Sequence, residues 1–354
     1  MYICSMYSDF DEYLRQGEPD RVDKTKHWQT AIGLQEVDGL KPSLYLIETA
    51  KQNIEGDITF DEVKKRIDAY YKTQENRQSE TDDRTEEADK VATRIAEILS
   101  ENTFTFSPAE YLGIHRRLFA GVYKFAGEIR NYNITKSEGV LDGETVLYGG
   151  ADNLKESLEY DFSQEKIFNY SGLTQGQFIE HIAYFISYIW QIHVFGEGNT
   201  RTTAVFLIKY LRTLGFKNIN NDLFIKHSWY FRNALVRANY MNLAQNVHKT
   251  TIYLIAFLEN LIFRENNVLK NRELHVHFGK NTVSADTVND TVNDHILNSM
   301  KESPNITAKE IASNLAISIA TVRRRIKTLK DGGLIERVGA DKTGRWKVTG
   351  KGRS

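Results

Sequence analysis

Three things are scarce in this chain, and each scarcity excludes something. Cys4 is the only cysteine in 354 residues. No disulfide can therefore form within the chain, which fits a reducing cytoplasm. Long apolar runs are also missing: no stretch approaches the roughly 18 to 20 residues needed to span a bilayer. The N-terminus, MYICSMYSDFDEYLRQGEPD, carries acidic residues early and no basic start leading into an apolar run, so it does not read as a secretory signal. Net charge is the third shortage, at −1, which leaves no overall steering toward nucleic acid or anionic membranes. The expectation is a soluble, cytoplasmic protein whose electrostatic specialisation is local and which has no membrane partner.

What is present is ordinary globular material, with 41% hydrophobic and 26% charged residues. The length allows two or three domains, each with its own core. A first helix is expected over about residues 26–37, stopped at Asp38-Gly39 with Pro42 soon after. A second runs over about 42–55 and closes at Gly56, and a third follows Thr59, whose hydroxyl can cap it. Three short helices would be marginal alone and must lean on something else. Residues 75–89 are nearly devoid of apolar side chains and read as a linker or a solvated helix start. From Val91 onward helical patterns dominate for about 170 residues. The exception is 128–150, where alternating residues around Gly139 and Asp142-Gly143 predict an inserted β-hairpin. After a polar break at 279–295, the C-terminal stretch predicts two helices and two short strands. From Lys301 onward it holds 13 Lys or Arg against 5 Asp or Glu, so this small domain is basic although the whole chain is not.

The densest chemistry lies in HVFGEGNTR, residues 193–201, between two apolar helical patterns. The stripe Phe178, Ile182, Phe185, Ile189 and Ile192 marks the preceding helix as a core helix. The glycines allow a ligand close to the backbone, and the helix after them opens with free N–H groups that suit an anion. Glu197 offers a hard oxygen to a divalent metal shared with phosphates. Asn199 and the backbone amides can bind a phosphate oxygen, and Arg201 can hold a second phosphate bidentately. His193, four residues before Glu197, is placed to take the proton of an attacking hydroxyl. A lone histidine here would read as a core residue; four polar types at one helix start point to phosphate chemistry instead.

These residues resemble the Fic family motif, H-x-F-x-[DE]-G-N-x-R, and the likeness extends through LGIHRRLFAGVYKFAGEIRNYNI, residues 112–134. The resemblance covers about 91–264. It implies an all-helical core with a β-hairpin flap; with the small N-terminal helical unit and a C-terminal winged helix, the fold expected is mainly α. It further implies transfer of AMP from ATP, with Mg2+, to a Tyr, Thr or Ser hydroxyl of a target protein. On that likeness His193 is the catalytic base, Phe195 a core anchor and Glu197 the metal ligand. Gly198, Asn199, Thr200 and Arg201 bind the nucleotide, and Ile134, Thr135 and Lys136 belong to the flap that clamps the target by strand addition. Two positions depart from the motif: Thr200 stands where Gly is usual and Ala204 where a second Arg is usual. Phosphotransfer, or a catalytically silent nucleotide-sensing regulator that binds DNA, are the alternatives.

The first helices resemble the small antitoxin domains that inhibit Fic proteins through [ST]-x-x-x-E-[GN]. Aligned here, Asp38 takes the place of the inhibitory Glu, Gly39 comes next, and Leu34 stands at the Ser/Thr position. Because the expected partner of Asp38 is Ala204, the charge-pair form of inhibition is expected to be weakened or replaced. The C-terminal pattern resembles a winged helix-turn-helix with a turn at Ile317-Ser318, a second helix from Ile319 and a wing over 339–345. Arg323, Arg324 and Arg325 are its candidate DNA contacts. The expected organisation is 1–75, 76–278 and 285–350, and a homodimer stays open.

Overall fold

The structure is a computed structural model and describes residues 10–73, 80–217, 219–220, 222–278, 291–315, 319–331, 333–338 and 344–349. The chain divides into two compact units, Met1–Phe278 and Gly279–Ser354, each with its own apolar core. Among the described residues the only strands lie in the second unit.

The first unit opens with a short helix, α1 (residues 10–16), and α2 (Pro19–Gly33). The start of α2 is earlier than the apolar pattern suggests, because Pro19 is preorganised for the first helical turn and needs no N–H partner there. Trp28, Ala31 and Ile32 are buried. At Gly33 the helix presses on the chain at Phe224 and Ile225 so closely that a Cβ would lie 2.5 Å from the Phe224 carbonyl oxygen. The chain then tightens into a 3-10 turn, Leu34–Asp38, and stops at Gly39 with φ 67°. Helices α3 (Leu44–Glu55), α4 (Phe60–Thr73) and α5 (Glu80–Ser100) come next. Ser43 caps α3, and Thr59 exchanges bonds with Glu62 at the start of α4. The N-terminal helices do lean on the rest of the unit, as expected: Trp28, Leu46 and Val63 share one core with Val91, Phe195 and Phe206.

The central helices are α6 (Pro108–Phe119), α7 (Leu154–Ile167), α8 (Gln175–Ile192) and α9 (Asn199–Thr213). A Thr174–Gln177 capping box starts α8. Helix α9 is buried over almost its whole circumference. Helices α10 (Leu223–Asn239) and α11 (Ile252–Phe263) close the unit.

The segment expected as a β-hairpin doubles back where predicted, with Asp142 and Gly143 both at positive φ. It forms no regular strands, however. Backbone bonding between its two arms is confined to the tip, where Glu138 N–H donates to Glu144 O and Gly143 N–H returns to Glu138 O. Nearer the base, Lys136 N–H bonds to the Thr145 hydroxyl rather than to backbone. The turn chemistry holds, and the ladder behind it does not form.

In the second unit α12 (Thr291–Glu302), α13 (Ala308–Asn314) and α14 (Ile319–Asp331) precede β1 (Ile335–Val338) and β2 (Arg345–Val348). The strands are antiparallel, with Arg337 opposite Trp346, and the Arg337 guanidinium lies 4.5 Å from the centre of that ring. Trp346 pins the second strand by donating to Pro304 O and, through Nε1, to Ile306 O. The predicted turn at 317–318 and the wing residues 339–343 lie outside the described residues.

Candidate active site

Helix α8 ends at His193, which adopts φ 53° and ψ 55° and so turns the chain out of the helix. A residue with a Cβ accepts that conformation at a cost of about 1–2 kcal/mol. Arg130 secures it: its Nε donates to His193 O at 2.8 Å, and Nη2 reaches Gly149 O at 2.5 Å and Ile192 O at 3.4 Å. It also donates to Tyr132 O. One buried guanidinium thus meets the electronegative end of α8 and ties it to both ends of the flap segment.

The loop after His193 is held from three sides. Phe195 stacks on His115 with ring centres 3.6 Å apart. The His115 ring in turn bonds Glu197 O at 3.0 Å through Nε2 and accepts from Gly127 N–H at Nδ1. Asn199 closes the loop on itself, accepting from Phe195 N–H and donating to Phe195 O at 2.8 Å. The Asn199 amide, expected as a phosphate ligand, bonds the loop backbone here, and backbone N–H groups at the start of α9 lie beside it. Gly198, at φ 77°, packs against Phe119 so that a Cβ would fall 2.4 Å from the ring.

The His193 side chain is buried, with Nδ1 3.2 Å from Trp190 O and Nε2 without a partner among the described residues. A carbonyl only accepts, so Nδ1 carries the proton and Nε2 presents its lone pair. Burial, reinforced by the charges of Lys136, Arg130 and Arg232, pushes its pKa well below the usual histidine value. The imidazole is therefore neutral at pH 7 and can accept a proton at Nε2. Around it a small cleft is lined by Glu197, Gly198, Asn199 and Thr200, with Asp38, Lys136 and Arg232 also at its walls. Thr200, which departs from the motif, accepts from Trp190 Nε1 at 3.0 Å.

Glu197 is the half-exposed carboxylate of the cleft, 54% accessible and 3.0 Å from Lys136 Nζ. Among the described residues no group of three or more His, Cys, Asp or Glu gathers to hold a metal. A single carboxylate of this kind still fits Mg2+, which keeps several waters and shares phosphate oxygens.

Arg201 is fully buried and surrounded by partners. Nη2 donates to Glu87 at 2.6 Å and to the Tyr123 hydroxyl at 3.2 Å, and Nη1 to Gln35 at 3.1 Å. Its Nε lies 2.8 Å from Asp38 Oδ2, an ion pair in which neither atom makes a directional hydrogen bond. Burial opposes the charge, but Asp38, Tyr123 and Glu87 outweigh it and hold the guanidinium protonated. Asp38 thus reaches the site, but its partner is Arg201 of the motif itself; Ala204, the position of the expected partner, is buried in the core.

Of the flap candidates, Lys136 reaches the cleft, Ile134 packs partly against the core and Thr135 is exposed. Arg130, His115, Glu87 and Arg232 were not singled out from the sequence. Arg130 and His115 lie inside the segment 112–134, yet nothing in their spacing marks them as loop supports. In the second unit Arg323 is exposed and Arg325 partly buried, while the Arg324 side chain lies outside the described residues.

The helical scaffold thus sets a neutral histidine beside a helix start and a half-exposed carboxylate. Residues 105–211 match the Fic/DOC family. Residues 294–336 match the winged helix-turn-helix DNA-binding family. The protein adenylyltransferase VbhT of Bartonella schoenbuchensis is 28% identical over 103 residues, covering 29% of this chain and 20% of that protein. The probable protein adenylyltransferase y4lH of Sinorhizobium fredii is 28% identical over 147 residues, 41% of this chain and 70% of that one. The chain thus spans about a fifth of the first relative and seven tenths of the second. A crystal structure of a Fic family protein from Desulfovibrio desulfuricans G20 aligns over 99% of this chain and 97% of that one, at 13% identity and a TM-score of 0.42. No helix among the described residues is long and apolar enough to cross a membrane.

Proposed function

We propose that the chain is a protein adenylyltransferase that moves AMP from ATP to a hydroxyl side chain of a target protein. The observation that carries this reading is the buried, unpartnered Nε2 of His193 at the cleft wall. In the proposed reaction the target oxygen attacks the α-phosphorus and its proton passes to His193 Nε2. The bond from that phosphorus to the bridging oxygen breaks, and pyrophosphate leaves. The N–H groups that open α9 receive phosphate oxygens, and Lys136 and Arg232 supply cationic charge at the cleft. Glu197 is the residue that would hold Mg2+, which when bound neutralises phosphate charge. The backbone of 134–136, lacking a ladder partner, suits an added strand from the target.

Asp38 sits on the arginine that the motif reserves for the nucleotide. The proposed consequence is inhibition in cis, with Asp38 withholding Arg201 from phosphate. The basic C-terminal unit is proposed to localise the enzyme or select its targets, with DNA as a partner through Arg323 and its neighbours. Loss of a duplex shift by the full chain on Arg323→Ala at low salt would support that role.

Intact-mass measurement of the full chain with Mg-ATP tests the reading. A gain of one AMP that disappears in His193→Ala supports it. A gain of one phosphate group moves the assignment to phosphotransfer, and bound ATP without any covalent gain moves it to nucleotide sensing.

A further inference from the structure

The cleft between α7 and α8 shares no residue with the catalytic cleft and holds about 520 Å3, within the range of small-molecule sites. Its wall is aromatic and in part solvent-exposed, with Tyr160, Tyr184 and Tyr188 all presenting large ring surfaces. Tyr184 and Tyr188 lie with ring centres 6.1 Å apart. On the other side His181 lies flat on Phe168 at 3.4 Å and 5°. Glu165 fixes that histidine, accepting from His181 Nε2 at 2.6 Å while the Tyr170 and Tyr210 hydroxyls also donate to it.

The charge balance of this cleft is one-sided. Two carboxylates, Asp161 and Glu165, line it, and no lysine or arginine does. Glu165 is satisfied by its three donors. Asp161 meets no cation and no donor among the described residues, and burial pushes its carboxyl up to about 6. A desolvated carboxylate without a partner is costly unless something supplies the missing charge. The aromatic side chains lining the same cleft offer the other half of cation recognition, since the ring quadrupole attracts a cation.

We propose that the α7–α8 cleft is a second binding site, for a flat organic cation of the guanidinium class, stacked on Tyr184 and paired with Asp161. It stands independently of the adenylyltransferase reading, because no catalytic residue lines it.

Ligand-observed NMR on the full chain tests the assignment with three probes: agmatine, a Gly-Arg-Gly peptide and N-acetyl-citrulline amide, in which an uncharged urea replaces the guanidinium and the amine is blocked. The two guanidines receive saturation from the protein and N-acetyl-citrulline amide does not. Asp161→Asn and Tyr184→Ala each weaken guanidine binding about tenfold, with melting profiles reporting that the variants fold. His193→Ala leaves binding unchanged. Tighter binding of the peptide assigns the site to an arginine side chain of a protein segment, and equal or tighter binding of agmatine assigns it to a free small cation. Absence of saturation, equal binding of N-acetyl-citrulline amide, or full affinity in folded Asp161→Asn overturns the proposal.

Discussion

Asp38 and Arg201 form an ion pair whose loss is predicted to act on stability and, under the proposed inhibition, on transfer. Asp38 is partly exposed, whereas Arg201 is buried and keeps Glu87 and Tyr123 when Asp38 is removed. Replacing Asp38 with Ala should therefore lower stability by only about 1–2 kcal/mol, well below the cost of leaving a buried charge wholly unpaired. Transfer of labelled AMP should rise about tenfold, on the order of the coupling expected of a modest regulatory contact. A melting curve and a filter assay of the same preparation check both, and unchanged transfer would remove Asp38 from the inhibitory role. The histidine makes a second prediction. A general base works when neutral, and burial holds the His193 pKa below its ordinary value. Activity should stay level as pH falls through about 6.5 and decline only as it passes the lowered value. An acid limb centred near 6.5 in the initial rate would show that His193 is not buried in the working enzyme. Much of this was legible in the motif, because His193, Glu197 and Arg201 are forced together by nine residues of sequence. The partners of Arg201 were not: Gln35, Glu87 and Tyr123 come from distant segments, and no spacing rule joins them.

At the level of elements, the loop after His193 is a short link between two helices, α8 and α9, and its geometry depends on contacts that side-chain type alone does not announce. Gly198 is the tightest of them. Its φ of 77° is one strain for any larger residue, and the Phe119 ring is a second. Gly198→Ala should cost about 1–3 kcal/mol in stability. It should also shift the N–H groups that open α9, lowering transfer more strongly than nucleotide affinity. Separate titration of ATP binding and turnover would check this, and a fully active variant would mean that the loop tolerates displacement. Element ends were the least legible feature. The apolar period located the first long helix, but Pro19 extends its start and the 3-10 turn at Leu34–Asp38 replaces its last turn. That turn is what delivers Asp38 to the cleft. The flap obeys similar logic: Asp142-Gly143 fixed the reversal, while the arms are held by Arg130, Thr145 and the core rather than by a ladder.

On the scale of the molecule, composition concealed a division that the local charge count revealed. The net charge of −1 masks a basic C-terminal unit whose core of Ile296, Met300, Ile311, Val322, Leu329 and Ile335 is closed within itself. The N-terminal helices differ in this respect, since they contribute Trp28 and Leu46 to the same core as the Fic/DOC segment. Their apolar stripes were readable, but which surface they cover is a tertiary matter that periodicity cannot decide. Two closed cores lead to a thermal prediction. Calorimetry of the full chain should resolve a small transition for Gly279–Ser354 and a larger one for Met1–Phe278. Leu329, buried at 1% exposure, provides the handle: Leu329→Ala removes core volume worth about 2–5 kcal/mol. In a unit this small that is a large fraction of total stability, so the minor transition should move down by tens of degrees or vanish. The major transition and AMP transfer to a protein substrate supplied in trans should hold their values. A coordinated fall of both transitions would instead mean that the two cores unfold as one cooperative body.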